Sequence, residues 1–258
     1  MNNFLDTLAM DAVGTIDSGY YRNFTAINQP KISLKQAIQN CKTNAVITEI
    51  KAASPSAGTI RQNIDPDAIA QAMQRGGAVG ISVLTEPKHF NGSLSRLAQV
   101  RAAVKLPILM KDIIIVADQI EVAAQIGANA VLLIEALFDK RCCEMDVDTM
   151  IAFAHGKGLE VLLETHTEAE FKSALKTDAD LIGINNRNLA TLKIDLNTTK
   201  QILQKQGKHC KTIISESGVK TKADLQFLRS CGADAFLVGS SIMLTNDIEL
   251  KVKEFVDA

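Results

Sequence analysis

Residues 130–165 read AVLLIEALFDKRCCEMDVDTMIAFAHGKGLEVLLET. One apolar run, AVLLIEA (130–136), opens this stretch and a second, EVLLET (160–165), closes it. Neither alternates strictly between apolar and polar residues, which is the pattern of strands covered on both faces, as in parallel sheets. Between them residues 140–156 read as a helix, with Gly158 as its stop signal. Each run ends on polar residues, Glu135 in the first and Glu164 in the second.

Outward from this unit the same pattern recurs. AVITEI (45–50), GISVLT (80–85), PILMKD (107–112), DLIGINN (180–186), TIISES (212–217) and AFLVGS (235–240) bring the number of runs to eight. Residues 65–75, 93–104, 118–126, 167–176, 197–206, 221–230 and 247–256 read as the accompanying helices. In the first of them Asp65 is the N-cap, Pro66 takes the first helical position, and Gly76 and Gly77 stop it. Eight strands alternating with eight helices predict a closed (β/α)8 TIM barrel rather than an open sheet. Strand ends are spaced by between 21 residues (Glu164 to Asn185) and 34 (Lys51 to Thr85), which leaves no room for an inserted domain. The expected organisation is one α/β barrel domain over 45–258 and a helical extension over 1–44. In the extension NFLDTLAMDAV and LKQAIQNC read as short helices that plug the barrel floor, overhang the active face, or serve only as structural additions.

The 258 residues suit such a barrel, which commonly takes about 250. A net charge of −1 gives no bulk electrostatic drive toward nucleic acid or anionic membrane, and neither is expected as a partner. No apolar run approaches the roughly 20 residues of a membrane span, and the acidic start MNNFLDTLAMDAVGT is not a secretory signal. The five cysteines, Cys41, Cys142, Cys143, Cys210 and Cys231, form no C-x-x-C pair and no zinc pattern. They are expected as buried thiols in a reducing cytoplasm, with Cys142 and Cys143 on a helix surface. His89, His155 and His209 show no ligand spacing, so no metal is expected.

The strand ends carry the chemistry. Glu49 and Lys51, Lys111 and Asp112, Glu135, Glu164, Asn185 to Arg187, and Glu216 and Ser217 all stand where parallel barrel strands reach their C-terminal face, the usual place of active sites. Charges are rarely buried unpaired, so this ring is either mutually paired or built around a ligand. Glu49 and Lys51, two apart, project to one face with Ile47 below them as packing. The turn Ser54-Pro55-Ser56 offers two hydroxyls, which an ordinary loop would also do. Strands seven and eight finish in glycine–serine turns, Ser217-Gly218 and Gly239-Ser240. These are either two tight turns or the phosphate site that such barrels build there, with a helix N-terminus starting at Ser240. Burial among Ile and Leu is expected to lower the pKa of Lys111, suiting it as a general acid, and to raise that of Glu164. His166 either shares the face of Glu164 or is a plain loop histidine, and the second reading is preferred.

Seven motifs, in order along residues 45–243, resemble the indole-3-glycerol-phosphate synthase family: EIKAASPSAG (49–58), VLTEPKHFNGS (83–93), ILMKDIII (108–115), LLET (162–165), GINNRNL (183–189), ISESGV (214–219) and LVGSSIM (237–243). FLDTLA and SLKQAI look like that family's N-terminal extension. The resemblance implies closure of an anthranilate-linked ribulose phosphate into indole-3-glycerol phosphate, with loss of carbon dioxide and water and with no cofactor or metal. It makes Lys111 the general acid of ring closure and Glu164 the acid–base residue of later proton transfers. Lys51 would stand near the substrate carboxylate and assist dehydration, while Glu49 and Asn185 orient the substrate. Arg187, Glu216, Ser217, Phe90 and Ile113 would bind it, and Ser54, Gly218, Gly239 and Ser240 would hold its phosphate. The implied partner is a small sugar phosphate, and the chain is expected as a monomer or in weak association with other tryptophan-pathway enzymes.

Three positions depart from the family pattern. Ile113 replaces an aromatic, Asn188 an aspartate, and Val116-Ala117 an Asp-Pro helix start, so part of the ring pocket is expected to be aliphatic, with substrate affinity and local stability affected more than activity. A phosphoribosylanthranilate isomerase would carry a cysteine where Glu49-Ile50-Lys51 stands. A non-catalytic phosphate-binding barrel would be expected to lack Lys111 or Glu164.

Overall fold

The computed structural model describes residues 4–27, 31–54, 58–61, 64–188 and 191–258, apart from the side chains of Ser54 and Thr59. Eight parallel strands close on themselves: β1 (Ala45–Ile50), β2 (Gly80–Leu84), β3 (Ile108–Lys111), β4 (Ala130–Ile134), β5 (Glu160–Thr165), β6 (Leu181–Asn185), β7 (Thr212–Glu216) and β8 (Ala235–Val238). β1 pairs with β2 from Ile47↔Gly80 and with β8 from Ala45↔Ala235, so the sheet has no open edge. The architecture is the (β/α)8 barrel that the sequence predicts.

The all-apolar runs are explained by two cores. Ile47, Leu109, Leu132, Leu162 and Ile214 fill the barrel interior. Their strand neighbours Val46, Met110, Val131, Val161 and Ile213 face outward into the layer shared with the helices. Each such side chain contributes about 1.5–3 kcal/mol on burial. Asp65, Ser93, Asp146, Thr167, Thr221 and Asp247 accept backbone N–H bonds at helix starts and so fix where each helix begins.

The expectations for residues 140–156 and for the cysteines fail. Residues 140–156 are not one helix: Glu135–Asp139 forms a short helix and Val147–Gly156 a second. Asp146 breaks the run because its carboxylate accepts both the N–H (2.9 Å) and the hydroxyl (2.9 Å) of Thr149, starting a new helix. Cys142 and Cys143 therefore lie in the connecting turn, and none of the five free cysteines is fully buried. At the start of the helix Ala117–Gln125, Val116 offers no side-chain cap, and neighbouring side chains take that place. Gln119 accepts the N–H groups of Ile115 (2.8 Å) and Val116 (3.2 Å) and donates to the Ile113 carbonyl (2.9 Å), while Glu144 accepts from Ala117.

The extension does two jobs. Helix α2 (Leu34–Asn40) closes the floor: Leu34 and Ile38 pack with Ala45, Ala130, Leu181 and Ala235 at the strand starts. Glu160, at the start of β5, accepts the N–H groups of Leu34 (2.7 Å) and Lys35 (3.0 Å), as a carboxylate at a helix N-terminus should. Helix α1 (Phe4–Asp17) lies at the opposite end, where Phe4 and Leu8 line the barrel mouth. Asp11 pairs with Lys88 (2.9 Å) and His89 (2.8 Å), and Asp6 with Lys140 (2.6 Å), tethering α1 on two sides. Between the helices, Tyr20 donates to the Thr85 carbonyl (2.9 Å) and Tyr21 to the buried carboxylate of Asp112 (2.9 Å).

Candidate active site

A cavity of about 480 Å³ opens at the C-terminal ends of the strands. Glu49, Lys51, Lys111, Glu164, Asn185 and Arg187 line it, together with Phe90, Ile113, Ser217, Gly218, Gly239 and Ser240. Of the predicted site residues, Glu216 does not reach the cavity wall, and the side chain of Ser54 lies outside the described residues.

The polar end is a cluster around Lys111. Its Nζ lies 2.6 Å from Glu216, 3.5 Å from Glu164 and 3.8 Å from Glu49. Lys51 in turn pairs with Glu49 at 2.8 Å, as expected for residues two apart on one strand face. Glu216 is completely buried, below the cavity surface, so it acts on Lys111 from behind instead of touching a ligand. The cluster is thus mutually paired while its Lys51, Lys111, Glu49 and Glu164 still face the cavity.

This pairing reverses the expected electrostatics. Burial alone pulls Lys111 down, but Glu216, Glu164 and Glu49 together outweigh it and raise its pKa. Burial alone pushes Glu164 up, but Lys111, His166 and Asn185 outweigh it and hold the carboxyl below its ordinary range. Glu49 is lowered the same way, against burial, by Lys51 and Lys111. Three carboxyls cannot all stay charged around one ammonium at no cost. Glu216 bears that cost: burial and the nearby Glu164 push its pKa up to about 7.

The cavity is also lined by apolar side chains: Phe4, Leu8, Phe90, Ile113, Leu132 and Ile134. Ile113 makes part of it aliphatic, as its departure from the family pattern predicts. Phe90 is set by Glu86, whose carboxylate accepts the N–H groups of Lys88 (2.9 Å), His89 (2.7 Å) and Phe90 itself (3.0 Å). A site lined by apolar side chains as well as ammonium and carboxylate groups suits an aromatic acid.

The third feature is the pair of turns after β7 and β8. Ser217 and Gly218 both take positive φ, 65° and 99°. A Cβ on Gly218 would stand 2.7 Å from both Ile194 and Leu196, so only glycine fits. Ser240–Met243 is a short helix directly after Gly239, and Ser241 donates to the Val219 carbonyl at 2.9 Å, holding the two turns together. Backbone N–H groups from two such turns and a helix start form the concavity that anions occupy.

Two residues take roles that sequence reading did not give them. Asn186 is buried and bridges the ends of β6 and β7. It donates to Ser215 (3.0 Å) and to the carbonyls of Glu216 (3.0 Å) and Ser217 (3.1 Å), and accepts from Thr199 (2.8 Å). It shapes the Ser217–Gly218 turn without facing the cavity. His166, read as a plain loop histidine, has its Nε2 3.2 Å from Glu164. The signal for it was its spacing of two from Glu164. Among the described residues no group of three or more His, Cys, Asp or Glu is placed to hold a metal, and no helix is long and apolar enough to cross a membrane.

Comparison with known proteins bears on this geometry. Two solved structures share the fold: a thiamine phosphate pyrophosphorylase from Pyrococcus furiosus (TM-score 0.61, 15% identity, 86% of this chain and 96% of that one) and an N-acetylmannosamine-6-phosphate 2-epimerase from Clostridium perfringens (TM-score 0.61, 14% identity, 84% and 93%). At the sequence level the similarity is much greater. An indole-3-glycerol phosphate synthase of Methanocaldococcus jannaschii is 46% identical over 230 residues, covering 88% of this chain and 84% of that protein. One from Neisseria meningitidis serogroup B is 38% identical over 258 residues, covering 98% and 97%. The family model for indole-3-glycerol phosphate synthase matches residues 14–255. With that match and relatives aligned over most of their length, the chain belongs to the indole-3-glycerol phosphate synthase family.

Proposed function

We propose that this enzyme of tryptophan biosynthesis converts 1-(2-carboxyphenylamino)-1-deoxyribulose 5-phosphate to indole-3-glycerol phosphate, with Lys111 and Glu164 as its acid and base. The observation that carries the reading is the cavity's division into three parts. An apolar wall suits the anthranilate ring, a Lys–Glu cluster suits the reacting carbons, and paired glycine–serine turns suit the phosphate.

The steps follow from the substrate. The ring carbon bearing the carboxylate attacks the ketose carbonyl, and a C–C bond forms as charge moves to the ketose oxygen. Lys111, held as an ammonium, gives that oxygen its proton. A donor aimed at developing charge stabilises the transition state more than the ground state. Its raised pKa does not block transfer, because an alkoxide is a far stronger base than an amine. Carbon dioxide then leaves, and its bonding electrons restore the aromatic ring. The last step removes the new hydroxyl as water and a proton from the carbon beside nitrogen. Glu164, held ionised, takes that proton, and Lys51 protonates the departing hydroxyl. Glu49 holds Lys51 in place at 2.8 Å. Arg187 stands on the wall near the same groups and suits the substrate's carboxylate.

Cytoplasmic action belongs to the same proposal, supported by five cysteines none of which forms a disulfide. The test is to supply the anthranilate-linked ribulose phosphate and follow indole fluorescence without added metal. Product should form, and the same preparation should not isomerise the phosphoribosyl precursor. Isomerase activity without indole formation would overturn the reading.

A further inference from the structure

His166 is a residue to which the reaction as described gives no task. It follows the last residue of β5 and is nearly sealed from solvent, with its side chain 10% exposed. Its ring lies between two carboxylates: Nε2 is 3.2 Å from Glu164 Oε1, and Nδ1 is 3.5 Å from Glu170 Oε2. Glu170 is itself fixed. Its Oε2 accepts the His166 backbone N–H (2.8 Å), its Oε1 accepts the Thr167 hydroxyl (3.0 Å), and Thr167 Oγ1 accepts the Glu170 N–H (3.2 Å). That exchange between Thr167 and Glu170 starts the helix Glu168–Ala174 and requires no imidazole. The ring is therefore an addition to a cap that is complete without it, and its other end stands against Glu164, which lines the cavity.

We propose that His166 is a positioning residue for Glu164: as an imidazolium wedged between Glu164 and Glu170, it fixes the Glu164 carboxylate and keeps it in the form that accepts a proton. The inference rests on Glu164 being the base of the last step. It answers a difficulty that step contains. Among the described residues, two cations lie within 4 Å of Glu164, namely Lys111 at 3.5 Å on Oε2 and His166 on Oε1. Once Lys111 has given its proton to the ketose oxygen, it no longer offsets the charge of Glu164, with Glu49 and Glu216 nearby. His166 is then the cation that remains within 4 Å of Glu164 among the described residues.

The other groups facing the pair agree with this. Glu164 is faced by Lys111, Asn185, Glu49 and Glu216 from four different strands, and His166 by Glu164 and Glu170. Glu135 also interacts with Glu170, and burial together with that carboxylate raises its pKa. Burial lowers the pKa of His166, but the two glutamates outweigh it and push it up to about 9, so the ring is charged at neutral pH. Glu170, against the effect of burial, is held low by His166. No other cation forms an ion pair with Glu170 among the described residues.

The test is the pH dependence of kcat in wild type, His166→Gln and Glu170→Gln, with Glu164→Gln as reference. His166→Gln keeps a side chain of similar reach and removes the charge. Losing an opposite charge at this range should move the acidic limb of the kcat profile up by about 1–3 pH units. KM should stay within about twofold, because the ring does not line the cavity. Glu170→Gln, at the outer end of the triad, should move the limb the same way by less, and it stands in if His166→Gln does not fold. An unmoved limb would overturn the proposal, and so would a loss of kcat equal at every pH, the mark of mere structural damage. If wild type itself makes no indole, the functional reading fails. If wild type is active and Glu164→Gln is not, the role of His166 is judged alone.

Discussion

Gly183, in the middle of β6, offers a sharp test of how the Lys111 cluster is held. A Cβ placed on it would stand 2.2 Å from Glu216 Oε1 and 3.3 Å from its Cδ, whereas ordinary contact begins at 3.4 Å. In Gly183→Ala the Glu216 carboxylate must therefore retreat by about 1 Å. It has little freedom to do so quietly, since it is completely buried and its other oxygen holds Lys111 Nζ at 2.6 Å. Overpacking of this kind costs about 1–3 kcal/mol of stability, which a barrel of this size survives. Misplacing a reacting group by about 1 Å costs on the order of 10²-fold in rate. We expect kcat/KM for indole formation to fall about 10²-fold while the protein still unfolds cooperatively in urea. A double-mutant cycle isolates the cause: in a Glu216→Ala background, Gly183→Ala should add almost nothing. Activity within threefold of wild type, or full additivity in the cycle, would refute the idea that Glu216 sets the position of Lys111.

Three further outcomes are expected. Asn186→Ala should lower stability by roughly 3 kcal/mol in urea titrations, because it strands several buried partners, and should raise KM by loosening the Ser217–Gly218 turn. Tyr21→Phe removes a donor to Asp112, whose carboxyl burial pushes up to about 6. A carboxyl raised in the fold stabilises it most below its unfolded value of 3.8, and that contribution is lost as pH rises through about 6. The variant's deficit should then be about 1–3 kcal/mol above pH ~7 and smaller below pH ~4, as paired melts at the two pH values would show. Gly239→Ala puts a Cβ 2.7 Å from Glu49 Oε1 and 3.1 Å from Lys51 Cε, so steady-state kinetics should show both a lower kcat and a higher KM.

The barrel was legible because its physics is local. A parallel strand covered on both faces must be apolar along its whole length, and it must turn polar where it reaches solvent, so AVLLIEA and EVLLET announce both the strand and the end that carries chemistry. Helix continuity was less so. Residues 140–156 have helical composition throughout, and only the Asp146–Thr149 cap divides them. The position of the extension was undecidable for a different reason. It depends on contacts such as Asp11 with Lys88 and Glu160 with Leu34, whose partners lie 77 and 126 residues apart.

The site shows the same division. The residue types at the strand ends named the candidates, but not the sign of their pKa shifts. Burial is readable from an apolar run, whereas the three carboxylates around Lys111 come from β1, β5 and β7 and meet only in the folded barrel. Depth was also hidden. Glu216 and Ser217 are adjacent, yet one lies behind Lys111 and the other lines the cavity. Glu216 is the last residue of β7, whereas Ser217 has already left the strand at a φ of 65°, and composition does not say where a strand gives way to its turn.

The central claim is that Lys111 supplies the proton for ring closure. The direct measurement is kcat for indole formation by Lys111→Ala at saturating substrate, with substrate binding measured separately. A general acid contributes about 10²–10⁴-fold, or about 3–5 kcal/mol of transition-state stabilisation. The account predicts a loss in that range with binding retained. Turnover close to that of wild type would contradict it.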